Sequence, residues 1–327
     1  MIVKMKRKPP EPKELFVQRM HKLFPDEKEF KEYFEILQEQ PRKSIRCNKL
    51  KISPAELKKQ LEKKYNWKIN QIWKDYPEVM VIESELEPGE LGRALEHLLG
   101  YYYIQELASM LPVIAISPKP KDRILDLCAA PGSKTTQLAS EMQNTGAIIA
   151  NEVSLGRVRI LASNLERCGA TNTIISRKDG VALCKIFKKL GKKFNRILVD
   201  APCSGEGTLR SSYKTYQMWN PNTIRTLSKI QKQLASEAFE ILEKNGEMIY
   251  STCTHAPEEN EGIVDFMLEK YKDEIEIKKI NLPIKPREGI CCWESETYSD
   301  KVKKSCRVYP QDNDTEGFFL AKFRRTK

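Results

Sequence analysis

From Arg123 onward, short apolar runs alternate with amphipathic ones, and no other feature restricts the fold as much. RILDL (123–127) precedes a helical stretch from Ser133, and GAIIANEV (146–153) precedes one from Ser154. TNTIIS (171–176) leads to one near 181–190, FNRILVDAP (194–202) to a long one over 223–243, and GEMIYSTC (246–253) to one over 258–271. Repeated strand–helix–strand units predict right-handed crossovers and an α/β fold with a mainly parallel sheet. The strand runs are nearly continuous in apolar residues, as helices on both faces of a sheet require. GFFLAKF (317–323) is expected to close the sheet as an antiparallel strand.

Ahead of this region, residues 11–40 carry helical spacing, with Leu15, Phe16, Met20 and Leu23, then Phe30, Phe34 and Leu37, until Pro41. SIRCNKLKI (44–52) alternates like a strand, Ser53-Pro54 opens a helix through about Lys64, and further short strands fall between Trp67 and Val81. This predicts two units: N-terminal helices with a small α/β module over 1–100, and a larger domain over 101–327. Residues 100–116, GYYYIQELASMLPVIAI, read as a buried helix leading into the second, its tyrosines serving the core or an interface. The opening MIVKMKRKPPEPKELF lacks the apolar stretch of a signal peptide and reads as a Pro-rich arm. No run of about 18 apolar residues predicts a membrane span, and a cytoplasmic monomer is expected.

Charge is unevenly placed. The chain carries a net +11, and Pro41 to Lys74 holds eleven Lys or Arg against two Glu. A block this one-sided suggests a phosphate-contacting surface and a nucleic-acid partner; a solvated helix face is the plain alternative. The stretch from Val79 to Glu96 turns acidic and confines the patch. Nine cysteines without a CxxC pair, and three widely separated histidines (His21, His97, His255), read as reduced thiols with no metal site. Cys291 and Cys292 are expected to be core or surface thiols.

In open α/β sheets ligands bind beyond the carboxyl ends of the strands. After the first strand stands Asp126-Leu-Cys-Ala-Ala-Pro-Gly-Ser-Lys-Thr135, whose small residues allow close backbone approach at a helix N-terminus. Neither GxGxxG nor GxxxxGK[ST] is present, which disfavours nicotinamide dinucleotides and nucleoside triphosphates. Glu152 follows the second strand, placed to accept from ribose hydroxyls, and Asp179 follows the third, placed for an adenine edge. Together these imply an adenosine-containing ligand. Asp200-Ala-Pro-Cys203 follows the fourth strand and Ser251-Thr-Cys253 the fifth. Buried cysteine is commonly a small hydrophobe, but two at the ligand-facing ends of successive strands, beside an aspartate, are candidates for chemistry.

The segments DLCAAPGSKTTQLA, DAPCSGEGTLR and YSTCTHAPEENEGIV resemble the Nop2/Sun family of RNA cytosine-C5 methyltransferases. The resemblance runs from about Ile45 to Phe323 and includes YIQELAS (103–109) and RVYPQDNDTEGFFLAKF; Gln311 departs from the histidine many members carry after the proline. It implies a Rossmann-like class I S-adenosylmethionine methyltransferase sheet preceded by a small RNA-binding module. It implies cofactor contacts from Cys128, Ala129, Ala130, Pro131, Gly132, Ser133 and Lys134, and from Glu152, Arg157, Asp179 and Asp200. It implies Cys253 as the nucleophile that adds to carbon 6 of cytosine, Cys203 as the residue assisting product release, and Lys134 and Asp200 beside the target base. The residues alone do not rank Cys253 above Cys203.

Two other classes were weighed. A dehydrogenase on this sheet lacks its GxGxxG turn, and a non-catalytic RNA-binding or assembly factor would have no need of both cysteines, Asp200 and the intact Pro-Gly turn. Within the family the compact chain is most similar to archaeal-type tRNA enzymes, so tRNA is the expected substrate, with ribosomal RNA as the alternative.

Overall fold

The computed structural model describes residues 11–327, so the first ten residues of the N-terminal arm lie outside the described part. The first periodic stretch forms two helices, α1 (Glu14–Leu23) and α2 (Glu27–Ile36). Pro25 cannot continue α1, and the Asp26 carboxylate caps α2 by accepting from the Glu29 amide at 2.9 Å. Their apolar faces do not pack on the small sheet that follows. Phe16, Met20, Phe24, Tyr33 and Leu37 bury against Leu209, Tyr216, Trp219, Ile224 and Tyr309 of the larger unit. Arg19 makes a paired contact with Glu258, and Lys13 Nζ donates to the Trp219 carbonyl at 2.7 Å.

The small unit contains β1 (Lys43–Cys47), α3 (Pro54–Tyr65), β2 (Ile69–Asn70), β3 (Val79–Ile82), short helices α4 (Glu90–Arg93) and α5 (Leu95–Leu98), and β4 (Tyr102–Ile104). The strands lie antiparallel in the order β2-β3-β1-β4. Residues 100–116 are therefore not one helix. Tyr102–Ile104 pairs with Cys47, Arg46 and Ile45 as an edge strand. Helix α6 (Leu107–Ile116) begins only after Glu106, whose carboxylate accepts from the Ala108 and Ser109 amides at 2.7 and 3.2 Å.

The large sheet is built from β5 (Arg123–Asp126), α7 (Ser133–Glu141), β6 (Ala147–Asn151), α8 (Leu155–Cys168), β7 (Thr173–Ser176), α9 (Gly180–Lys189), β8 (Phe194–Asp200), α10 (Lys214–Met218), α11 (Pro221–Glu240), β9 (Leu242–Thr252) and α12 (Glu261–Lys270). Strands β10 (Ile275–Lys278), β11 (Arg287–Glu288), β14 (Cys306–Val308) and β15 (Phe318–Arg325) complete the sheet, while β12 (Cys292–Trp293) and β13 (Glu296–Thr297) form a separate hairpin and α13 (Pro310–Asn313) precedes β15. The order is β11-β14-β15-β9-β8-β5-β6-β7, with β10 on β15. Strands β7, β6, β5, β8 and β9 run parallel, and the tail strand β15 lies antiparallel on β9, as its position after the last crossover suggested. Alternate residues feed opposite faces: Leu125, Ile197, Val199, Tyr250 and Phe319 join one core, while Ile124, Leu198, Ile249 and Leu320 join the other. The reversal of strand order at β5 and β8 opens a crevice at their carboxyl ends. Among the described residues, no helix is long and apolar enough to cross a membrane, and no His, Cys, Asp and Glu group could hold a metal ion.

One buried ion pair underlies this end of the sheet. Arg307 donates from Nε to Glu261 Oε1 at 2.6 Å, and the two side chains are 2% and 0% exposed. Arg307→Ala should destabilise the protein by about 3–5 kcal/mol by stranding the carboxylate, whereas Arg307→Met with Glu261→Met should recover most of that loss. Urea denaturation of both variants measures the difference.

Candidate active site

The turn after β5 is shaped by Gly132. Its φ of 103° lies in the left-handed region, and a Cβ there would stand 3.0 Å from Leu161 Cδ1. The turn delivers the first turn of α7, with free backbone amides, to the mouth of the crevice. Beneath it Asp126 is buried. Its Oδ2 accepts from Thr135 Oγ1 at 2.7 Å, while Oδ1 has no hydrogen-bond partner, and burial pushes the carboxyl up to about 7.

Strands β8 and β9 are paired so that Asp200 faces Ser251. Ser251 Oγ donates to Asp200 Oδ1 at 2.8 Å, and Lys134 Nζ pairs with Asp200 Oδ2 at 2.7 Å. Lys134 also donates to Ser109 Oγ at 3.1 Å and lies over the Phe318 ring at 5.4 Å. The loops beyond the two strands bring Cys203 Sγ to 3.2 Å from Cys253 Sγ, and the Cys253 amide donates to Cys203 Sγ at 3.3 Å. The contact with Cys253, reinforced by burial, holds the Cys203 thiol well above the usual cysteine range.

These loops are tied by buried polar groups. Ser204 Oγ shares a hydrogen bond with Thr254 Oγ1 at 2.7 Å, and the Ser204 amide donates to Glu259 Oε2 at 3.1 Å. Gln231 Nε2 bridges Glu259 and the Pro202 carbonyl at 2.7 and 2.8 Å. Asn260 accepts from Thr252 Oγ1 at 2.6 Å and donates to the Thr254 carbonyl at 3.0 Å. Burial pushes the Glu259 carboxyl up to about 7.

Cys253, Lys134, Asp200 and Phe318 line a cleft of about 490 Å³ whose other wall is Gln40 to Ser44 with Ile104, Gln105 and Glu106. Ser109, Glu316 and Phe318 were not foreseen as site residues. They lie in segments quoted for the family resemblance, but nothing in their local pattern marks them as cleft lining.

The expected cofactor residues fall in two groups. The segment from Cys128 to Lys134 and Asp200 meet at the crevice. Glu152, after β6, is 3% exposed; it accepts from the Ser154 amide at 2.9 Å and pairs with Arg157 Nη1 at 2.9 Å, while Arg157 Nη2 donates to the Ala130 carbonyl at 2.6 Å. Asp179 is exposed and caps α9 through the Ala182 amide at 2.9 Å. Cys128 is partly buried against the core beside the turn, and burial pushes its thiol up.

The basic segment departs from an exposed surface at Arg46. Arg46 is 2% exposed and bonds to Ser133 and Thr136 rather than facing solvent. Lys49 pairs with Glu141 at 2.7 Å and Glu78 at 3.6 Å. Arg46 lies on β1, where inter-unit neighbours bury what charge counting reads as surface, whereas Lys49 just after the strand stays exposed within its ion pairs. Arg42, at the cleft mouth, is exposed and pairs with Asp314 at 2.8 Å.

Residues 113–324 match the model described as 16S rRNA methyltransferase RsmB/F, and residues 12–107 match the N-terminal domain of 16S rRNA methyltransferase RsmF. The chain belongs to the RsmB/F methyltransferase family. It is 40% identical to a tRNA (cytosine(49)-C(5))-methyltransferase of Pyrococcus abyssi, over 90% of this chain and 92% of that protein. It is 38% identical to ribosomal RNA small subunit methyltransferase F of Vibrio cholerae over 97% of this chain, but spans only 64% of that relative's length. The crystal structure of NSun6 from Pyrococcus horikoshii, solved with the S-adenosylmethionine analogue SFG, superposes with a TM-score of 0.81 at 26% identity, covering 97% of this chain and 98% of that one.

Asp126, Glu259 and Glu316 each carry a carboxyl that burial pushes up to about 7. In the unfolded chain such groups release protons near pH 4. Between about pH 4 and 7 the folded state therefore binds more protons, and stability falls as pH rises through that window. Asp126→Asn should flatten this fall and be more stable than the parent at about pH 8. Denaturation midpoints at about pH 5 and 8 test this, and an unchanged pH dependence would count against it.

Proposed function

We propose that this protein methylates carbon 5 of a cytosine in RNA, with tRNA as the substrate class. The observation that carries the reading is that Cys253 and the Lys134–Asp200 ion pair line one cleft, with Cys203 Sγ 3.2 Å from Cys253 Sγ. The tRNA assignment is supported by the Pyrococcus relative, which this chain matches over nearly its whole length. The ribosomal alternative is favoured by the family descriptions. We further propose a cytoplasmic monomer, since one chain supplies both cysteines and every wall of the cleft.

The residues fit S-adenosylmethionine. A left-handed turn residue at Gly132 that leaves little room for a Cβ, free amides at the start of α7, an unpartnered buried Asp126 oxygen and carboxylates after β6 and β7 suit a ligand carrying a carboxylate, an ammonium and ribose hydroxyls. Cys128 to Lys134, Glu152, Arg157, Asp179 and Asp200 would hold it. When bound, it supplies an electrophilic methyl group on a sulfonium.

Carbon 5 of cytosine is a poor nucleophile until a thiolate adds to carbon 6. Cys253 is assigned that addition, and only its thiolate form is reactive. Cys203, whose proton is held by burial and by the contact with Cys253, can donate S–H to the Cys253 sulfur. Asp200, fixed by Lys134 and Ser251, can accept from the exocyclic amine or a protonated ring nitrogen, stabilising charge in the adduct. Once Cys253 is bonded to carbon 6 its sulfur is neutral and no longer holds the Cys203 proton, which Cys203 can release to water. As a thiolate Cys203 can then take the carbon 5 proton; the electron pair of that C–H bond forms the carbon 5–carbon 6 double bond, and the sulfur–carbon 6 bond breaks to return Cys253 as a thiolate.

Cys253→Ala should abolish methyl transfer from a radiolabelled donor and leave cofactor affinity within about twofold, because it removes an interaction made only during reaction; residual turnover near the parent rate would exclude it as nucleophile. Cys203→Ala should instead accumulate a covalent protein–RNA adduct, visible as a slow band on a denaturing gel and missing from the double variant.

We also propose the small unit as the RNA-binding module, through its exposed lysines. Lys59 and Lys63 on α3 and Lys74 after β2 are exposed. Replacing the three with Ala should weaken RNA binding and flatten its salt dependence by roughly 0.7–0.9 log units per lost contact per tenfold salt. Cofactor affinity should not move. An unchanged salt slope would move the RNA surface elsewhere.

A further inference from the structure

Arg46 lies in the middle of the basic segment, yet its guanidinium is enclosed by neutral groups. Nη1 donates to Gln105 Oε1 and to the Ser133 carbonyl at 2.8 Å, and Nη2 donates to Thr136 Oγ1 at 2.9 Å. The Tyr103 ring, its cross-strand partner on β4, flanks it at 5.6 Å. Among the described residues no carboxylate hydrogen-bonds to it, and burial pulls its pKa down to about 10. Enclosing a cation this way is costly, and a hydrophobic side chain of similar volume would serve packing better.

The acceptors show what the charge holds. Ser133 and Thr136 form the first turn of α7, between Gly132 and the rest of the helix. Gln105 in turn donates to the Ser109 carbonyl at 3.0 Å, and Ser109 Oγ receives the Lys134 ammonium. Tyr103 reaches the same turn: Asn164 Nδ2 bridges its hydroxyl and the Pro131 carbonyl at 3.1 and 2.9 Å. Arg46 on β1 and Tyr103 on β4 thus hold the turn at the Ser133 carbonyl, the Thr136 hydroxyl and, with Asn164 of α8, the Pro131 carbonyl.

We infer that Arg46 is a positioning residue, which fixes the Pro-Gly turn and Lys134 from the small unit and makes no contact with RNA. The inference rests on reading that turn as the cofactor turn.

The test uses full-length Arg46→Met and Arg46→Lys with four readouts: S-adenosylmethionine affinity by calorimetry, kcat on a cytosine-containing tRNA, RNA affinity at several salt concentrations, and amide hydrogen exchange over 132–136 without cofactor. In Arg46→Met, cofactor affinity and kcat should each fall by about tenfold or more, the scale of losing hydrogen bonds from a charged donor. Exchange at 132–136 should accelerate, and RNA affinity and its salt slope should stay within about twofold. Arg46→Lys, which keeps the charge and part of the bonding, should recover part of kcat.

Weaker RNA binding with a flatter salt slope, and an unchanged turn, would overturn the inference in favour of a phosphate contact. A lower thermal midpoint with unchanged kcat, cofactor affinity and exchange would overturn it in favour of plain packing. If Arg46→Met does not fold, Thr136→Val removes one acceptor and should shift exchange and cofactor affinity in the same direction; no shift would overturn the proposal. A parent protein that binds cofactor but methylates no cytosine would defeat the proposed activity, while affinity and exchange would still decide the role of Arg46.

Discussion

The pairing of β8 with β9 governs the site. With Asp200 opposite Ser251, each strand runs on into its own cysteine loop, and two thiols distant in sequence arrive at one place. Register brings the loops near each other, but the sulfur contact needs more. The Gly207 amide donates to the Cys253 carbonyl at 2.9 Å, and the Gly317 amide donates to the Gly207 carbonyl at 2.8 Å. A Cβ on Gly207 would stand 2.3 Å from the Gly317 carbonyl oxygen, so three segments meet there with no room for a side chain. Glu259, Gln231 and Asn260 then satisfy the loop amides and carbonyls from inside. A buried polar network of this kind gives rigidity that apolar packing alone does not.

The same end of the sheet is braced from a distance in sequence. Phe16 of α1 packs edge-on against Trp219 at 5.3 Å, and Trp219 Nε1 donates to Glu206, which also accepts from Thr254 Oγ1 at 3.2 Å. Arg19 reaches Glu258 in the turn before α12. Helices α1 and α2 thus act as a strap over the loops that carry both cysteines. They belong mechanically to the large unit, although they precede the small one in the chain.

This division explains what was legible in the sequence. The parallel strands announced themselves because both faces are buried and their runs are continuously apolar. The turn at Gly132 and the strand-end residues could be placed because ligand position follows from strand direction. The strap could not be placed, since the periodicity of α1 and α2 gives an apolar face without naming what it packs on. Arg46 was misread for a related reason. Counting charges assumes that charge faces water, but β1 is buried at Ser44, Ile45, Arg46 and Cys47 alike. The alternation Ile45-Arg46-Cys47 puts Arg46 on the face opposite the small unit's core and reads as solvent-facing, but that face meets α7 of the large unit.

Burial also explains why the cleft can combine opposite charges without collapsing their function. Lys134 is held by Asp200, Ser109 and the Phe318 ring, and Asp200 by Lys134 and Ser251. An ion pair in a low-dielectric wall contributes little net charge, but it fixes two dipoles that cannot turn away when a base enters. The cost of desolvating them is met when the chain folds, so it need not be met again during reaction. The small unit completes this arrangement, because Gln105 supports Ser109 and Ser109 supports Lys134. A cleft walled by two units therefore keeps this arrangement only while the two remain docked, and Arg46, buried between them, lies where that docking and the Pro-Gly turn meet.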